Sequence, residues 1–217
     1  MNRFLTLCLV TALTACATIP APQPPNAQSQ ALWQQQLETL KPLSHWSIRG
    51  RVAIYVKEDV YNLGMSWQRE DNNSTLKLEA SLGQGLIMLT RNANRIELTT
   101  AEGESVHGNN AQQLLYDTTG LLIPVEGLQT WIKGIPHEQS DFQHAIDAEG
   151  RTQSLQQDGW KINYLKYSDS ALPQIDRASL PRKLYMKHDG LALKIVIDQW
   201  QNDAQPPQSD LFPTFPD

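Results

Sequence analysis

The sequence predicts a mainly β domain built as a strongly curved antiparallel sheet or barrel. Three observations carry that expectation. From Trp46 onward apolar residues recur with period two. The breaks between the runs hold acidic residues, Asn and Gly, which suit short hairpin turns. Only three short stretches read with a helical period.

The elements follow in order. Residues 28–41 place Trp33, Leu37 and Leu40 at i, i+4, i+7 among Gln and Glu, an amphipathic helix. Trp46, Ile48, Val52, Ile54 and Val56 then share one strand face, opposite Arg49, Arg51 and Lys57. Tyr61, Leu63, Met65 and Trp67 alternate next, followed by Leu76, Leu78, Ala80 and Leu82. Gly83 and Gly85 read as a hairpin turn. Further strands are expected at 85–91, 94–100, 142–147, 151–157, 160–167, 182–188 and 191–199, with Trp200 closing the last run. Two helical pieces interrupt them. Asn110 is placed to cap a helix through Gln113, Leu114 and Leu115. After Ile123-Pro124, a second helix sets Leu128, Trp131 and Ile132 on one face, with Gly134 as its C-cap. About ten strands with few helices suit a curved sheet or barrel. No internal repeat is evident.

The N-terminus has the layout of an export signal. Met1 and Arg3 precede an apolar run from Phe4 to Leu13, followed by small residues. That run is about 10 residues, half the length a membrane-spanning helix needs. Leu13-Thr14-Ala15-Cys16 resembles the bacterial lipoprotein signal box, which implies that residues 1–15 are cleaved and Cys16 is acylated. The alternative is an ordinary secretory signal that leaves Cys16 a spare thiol. More than one acyl chain makes an anchor stable. In the enterobacterial lipoproteins that this box resembles, Asp after the cysteine marks inner-membrane retention, so Ala17 at that place implies the outer membrane and its periplasmic face. Residues 16–27 carry four prolines and no charge, a semi-rigid extended spacer. The tail 201–217 is again Pro-rich and is expected to be disordered, leaving one domain over 28–200.

Loss of Arg3 with the signal takes the net charge from −5 to −6. Composition therefore offers no basic footprint for nucleic acid. Cys8 leaves with the signal and Cys16 is modified, so the domain has no disulfide and stands on its core. The five histidines show no metal-ligand spacing. Ser105-Val106-His107-Gly108 lacks the frame of a nucleophile elbow. Gly83-Gln84-Gly85 lacks the third glycine of a phosphate cradle. No catalytic constellation, metal or cofactor is expected. A curved sheet with helices across it can instead enclose an apolar cavity. Met65, Trp67, Leu76, Leu78, Trp131 and Ile132 are candidate lining, with solid core as the competing reading.

The segments Ile48-Arg49-Gly50-Arg51-Val52-Ala53, Ser66-Trp67-Gln68 and Ser81-Leu82-Gly83 resemble the outer-membrane lipoprotein receptor family LolB. So do Ile123-Pro124, the stretch from Leu128 to Pro136 (LQTWIKGIP), and Leu180-Pro181 with the strand ending at Trp200. The resemblance runs from about residue 30 to 200 and is most specific in the LxxWIxGxP motif. It implies an open antiparallel β-barrel of about eleven strands, covered by helices, around an apolar cavity. It implies acceptance of lipoprotein cargo from a LolA-like periplasmic carrier and insertion into outer-membrane lipid, without cofactor or covalent chemistry. A monomer is expected. The resemblance also places Leu82 on a protruding loop that drives insertion, although strand parity makes it the last core residue of its run. A structural subunit of another envelope assembly machine is the first rival, a lipoprotein hydrolase the second.

Overall fold

The computed structural model describes residues 26–80, 86–93, 95–168 and 178–201. The chain opens with α1 (Ala27–Leu40) and continues into β1 (His45–Val56), β2 (Asp59–Glu70), β3 (Asn73–Ala80), β4 (Leu86–Asn92), β5 (Arg95–Thr99) and β6 (Ser105–Gly108). Helices α2 (Ala111–Thr119) and α3 (Val125–Trp131) follow. Strands β7 (Phe142–Ile146), β8 (Thr152–Gln157), β9 (Trp160–Tyr167), β10 (Pro181–His188) and β11 (Leu191–Gln201) complete the domain.

All eleven strands form one antiparallel sheet in the order β6-β5-β4-β3-β2-β1-β11-β10-β9-β8-β7. The first and last strands thus meet at the centre, and β6 and β7 form two unpaired edges. The chain leaves the sheet at one edge and re-enters at the other through α2 and α3. The sheet is open, as the resemblance implied.

Local chemistry sets the helix ends. Asn26 and Ser29 form a reciprocal capping box at the start of α1. Asn110 caps α2 as expected, its side chain accepting from the Gln113 N–H at 3.0 Å. Gly134 is not the α3 C-cap, which is Ile132; Gly134 follows in the left-handed region at φ +84. Its N–H donates to the Trp131 carbonyl at 2.9 Å, so the glycine turns the chain just past the helix.

Strand β6 has no counterpart in the sequence expectation. Three of its four residues are exposed, so this edge strand carries no alternating pattern to read. Tyr61 departs from the expected inward face and is half exposed, because β2 runs beyond the end of β3. The expected turn at Gly83 and Gly85 lies outside the described residues.

A bulge governs the central seam. Arg49 pairs with Gln199 while Gly50 pairs with Ile197, so Asp198 has no opposite number. The extra residue reverses the parity of β11 and turns Trp200 inward along with Leu193, Ile195 and Ile197. Gly50 is required there: a Cβ would lie 2.0 Å from the Val196 carbonyl oxygen. The inward faces of the strands and the apolar sides of the helices form one buried cluster.

Candidate functional site

The six candidate lining residues are all buried, and the fold sorts them into two groups. Met65, Trp67, Leu76 and Leu78 sit on the inner face of β2 and β3. Trp67 lies directly opposite Leu76, and Met65 opposite Leu78. Trp46 meets Trp67 edge-on at 5.3 Å and Trp200 at 5.9 Å, joining this group to the central seam. Such pairs prefer edge-to-face geometry because the positive ring edge meets a negative face.

Trp131 and Ile132 come from the end of α3 and have no exposed surface. They belong to the other half of the sheet. The Trp131 indole N–H donates to Gln157 Oε1 at 2.8 Å, and the Tyr164 hydroxyl donates to the Trp131 carbonyl at 2.8 Å. The indole also lies 6.4 Å from Trp160. Gly127, one turn earlier, leaves room for the ring: a Cβ there would stand 2.8 Å from it. The motif LxxWIxGxP therefore pins α3 to β8 and β9.

Three polar residues complete this anchorage, and none was singled out from sequence. Gln157 accepts from Trp131 and from the His137 N–H at 3.1 Å, and donates to the carbonyls of His137 at 2.8 Å and Ser140 at 3.0 Å. Its amide is fully satisfied. The available signal was parity, since Gln157 shares the inward face of β8 with Leu155. Lys133 is only 4% exposed and donates to the carbonyls of Leu40 at 2.8 Å and Leu43 at 3.2 Å. It thereby ties the end of α1 to the turn after α3. Burial, helped by the nearby Arg69 guanidinium, pushes its ammonium down to about 8. Arg69 reaches Gln129 of α3 and the Asp71 carbonyl. Burial and the neighbouring Arg91 lower its pKa.

Further along the edge, α1 lies against β7 through Trp33, stacked on the His144 ring at 4.1 Å. Burial lowers the pKa of His144. The indole nitrogens of Trp33, Trp46 and Trp67 are buried without a hydrogen-bond partner among the described residues.

Cys16 and Leu82 lie outside the described residues. Ala80 ends β3 opposite Leu63, and Leu86 begins β4, at the same end of the sheet as the β1–β2 turn. Val60 and Tyr61 stand half exposed at that end. Among the described residues no group of three His, Cys, Asp or Glu side chains could hold a metal. No helix among them is long and apolar enough to cross a membrane.

An unclosed antiparallel sheet of eleven strands among the described residues, with an apolar inner face packed against helices, defines the fold class. A LolA superfamily protein of Nitrosomonas europaea shares the fold, with TM-score 0.51 at 11% identity over 83% of this chain and 96% of that one. Residues 44–200 match the family Outer membrane lipoprotein LolB, and the chain belongs to it. Outer-membrane lipoprotein LolB of Aeromonas hydrophila is 33% identical over 91% of this chain and 95% of its own length. That of Nitrosococcus oceani is 30% identical over 91% and 96%. That of Marinobacter nauticus is 30% identical over 94% and 99%.

Proposed function

We propose that this outer-membrane lipoprotein receives the acyl chains of other lipoproteins from a LolA-like periplasmic carrier and places them in outer-membrane lipid. The observation that supports this most is the apolar inner face of a sheet left open between β6 and β7. Burial in such a face is non-directional and indifferent to the cargo's protein part. Each tenfold preference over the donor requires only about 1.4 kcal/mol. No bond need be broken, so transfer proceeds by binding alone.

On this reading Met65, Trp67, Leu76 and Leu78 contact acyl chains, while Trp131 and Ile132 hold the covering helix in place. The buried indole N–H groups of Trp46 and Trp67 are donors for an ester or amide carbonyl at the head of a chain. Cys16 bears the protein's own acyl groups, and the Pro-rich segment 16–27 spaces a monomeric domain from the membrane. Leu82 is the apolar residue that helps cargo into the bilayer.

The test is direct transfer. Carrier loaded with a labelled lipoprotein is mixed with the protein, and movement of the cargo is followed by co-purification. Cargo crosslinks at Trp67 are expected; a scaffold without lipid-binding function gives neither transfer nor crosslink.

A further inference from the structure

The outer face of β9, β10, β11 and β1 gathers positive charge that the acidic composition conceals. Strand parity sends Lys161, Lys183, Lys187 and Lys194 to this face, opposite the inward Ile162, Leu184, Met186 and Ile195. Arg51 joins them on β1. Lys161 lies directly across from Lys187, and Lys183 across from Lys166. Like charges in directly opposed positions destabilise a sheet. Of the carboxylates around this face, Asp158 lies 2.6 Å from His137, Asp198 lies 3.2 Å from Arg51 and Asp189 lies 3.7 Å from His188, while Glu79 stands across Gly64 at the β3 side of the face. None of Lys161, Lys183, Lys187 and Lys194 has an ion pair among the described residues.

The face also has shape. A groove of 350 Å³ runs over it between Arg51, Lys183 and Lys194, floored by the small residues Ala53 and Gly64 and flanked by Tyr55. Tyr185 stands half-buried beside Lys194, and Leu165 is 54% exposed on the same side of β9. Lysines interleaved with tyrosine and leucine match a bilayer surface, where ammonium groups meet phosphates and aromatic rings settle at the headgroup level.

We propose that this outer face docks on a phospholipid surface bearing anionic headgroups, with the groove taking a phosphate. Charge complementarity and membership of an outer-membrane lipoprotein family favour lipid as the occupant over an acidic protein. The contact is separate from the apolar concavity and works whether or not that concavity holds acyl chains.

The experiment reconstitutes the full-length lipidated protein in vesicles of phosphatidylcholine alone, or with one third phosphatidylglycerol. A water-soluble amine-reactive ester then labels exposed lysines, read by mass spectrometry. Lys161, Lys183, Lys187 and Lys194 should react roughly fivefold more slowly on the anionic vesicles, as each cation near such a surface gains a modest attraction. High salt should restore their reactivity, and Lys41 should be unaffected. The substitutions Lys187→Gln and Lys194→Gln together should return the remaining two lysines to their rate on phosphatidylcholine. Equal reactivity on both vesicles overturns the proposal, as does protection that develops only when the carrier protein is added. Cargo transfer, measured in parallel on phosphatidylcholine vesicles, tests the acyl-binding role independently.

Discussion

The indole N–H of Trp131 donates to Oε1 of Gln157 across 2.8 Å, joining the end of α3 to the end of β8 with both residues buried. This bond holds the helix that bridges the two sheet edges. Gln157→Leu preserves apolar volume but strands two donors and two carbonyls. Each unsatisfied buried group costs about 1–3 kcal/mol, so a loss of roughly 4 kcal/mol is expected in urea unfolding. The Trp131 indole proton should exchange faster in the same variant, because α3 is freed locally.

Gly50→Ala tests the central seam. A methyl group 2.0 Å from the Val196 carbonyl forces β1 and β11 apart where the bulge turns Trp200 inward. The expected cost is about 3 kcal/mol or more, the range of a severe core clash. It should be visible as a lowered melting temperature with a changed Trp near-ultraviolet signal.

Lys133 predicts a pH dependence. Its ordinary value is 10.5, and burial brings it to about 8 in the folded protein. Between these values the unfolded chain holds the proton more tightly, so stability rises as pH rises through the window. Below it both states are protonated and the contribution is flat. Tyr164 and Tyr167 are raised by burial and act in the opposite sense at higher pH, so the scan ends at about pH 9.5. Lys133→Met should abolish the rise. It should also cost about 2 kcal/mol at neutral pH, because the Leu40 and Leu43 carbonyls lose their donor.

Leu82→Glu separates acceptance from delivery. If an apolar tip drives insertion, the variant should take cargo from the carrier at the normal rate but release it to the membrane much more slowly. Normal delivery by the variant would sink that role for Leu82. A loss of acceptance as well would place the residue in the core.

The inner face was legible in the sequence because a strand buried on one side must alternate. Trp46, Ile48, Met65, Trp67, Leu76 and Leu78 announce themselves by period two, Trp33 by helical spacing and Asn110 as a capping residue. The exposed edge strand β6 was silent, having no buried side to mark it. The C-cap was misplaced onto Gly134 because glycine signals a helix end without fixing the residue at which the last bond is made.

The sequence by itself determined the strand faces, the family and the motif around Trp131, all of which rest on local pattern. Only the tertiary structure decided that β1 and β11 meet at the centre, with a bulge that reverses the facing of Trp200. The tertiary structure also found partners for polar residues far apart in the chain, as with Lys133 and Leu40 at a separation of 93. It brought lysines of β9, β10 and β11 onto one outer face of an acidic protein. The reason is physical. Burial on one side of a strand is written in consecutive residues, whereas register between strands depends on contacts that no single segment contains.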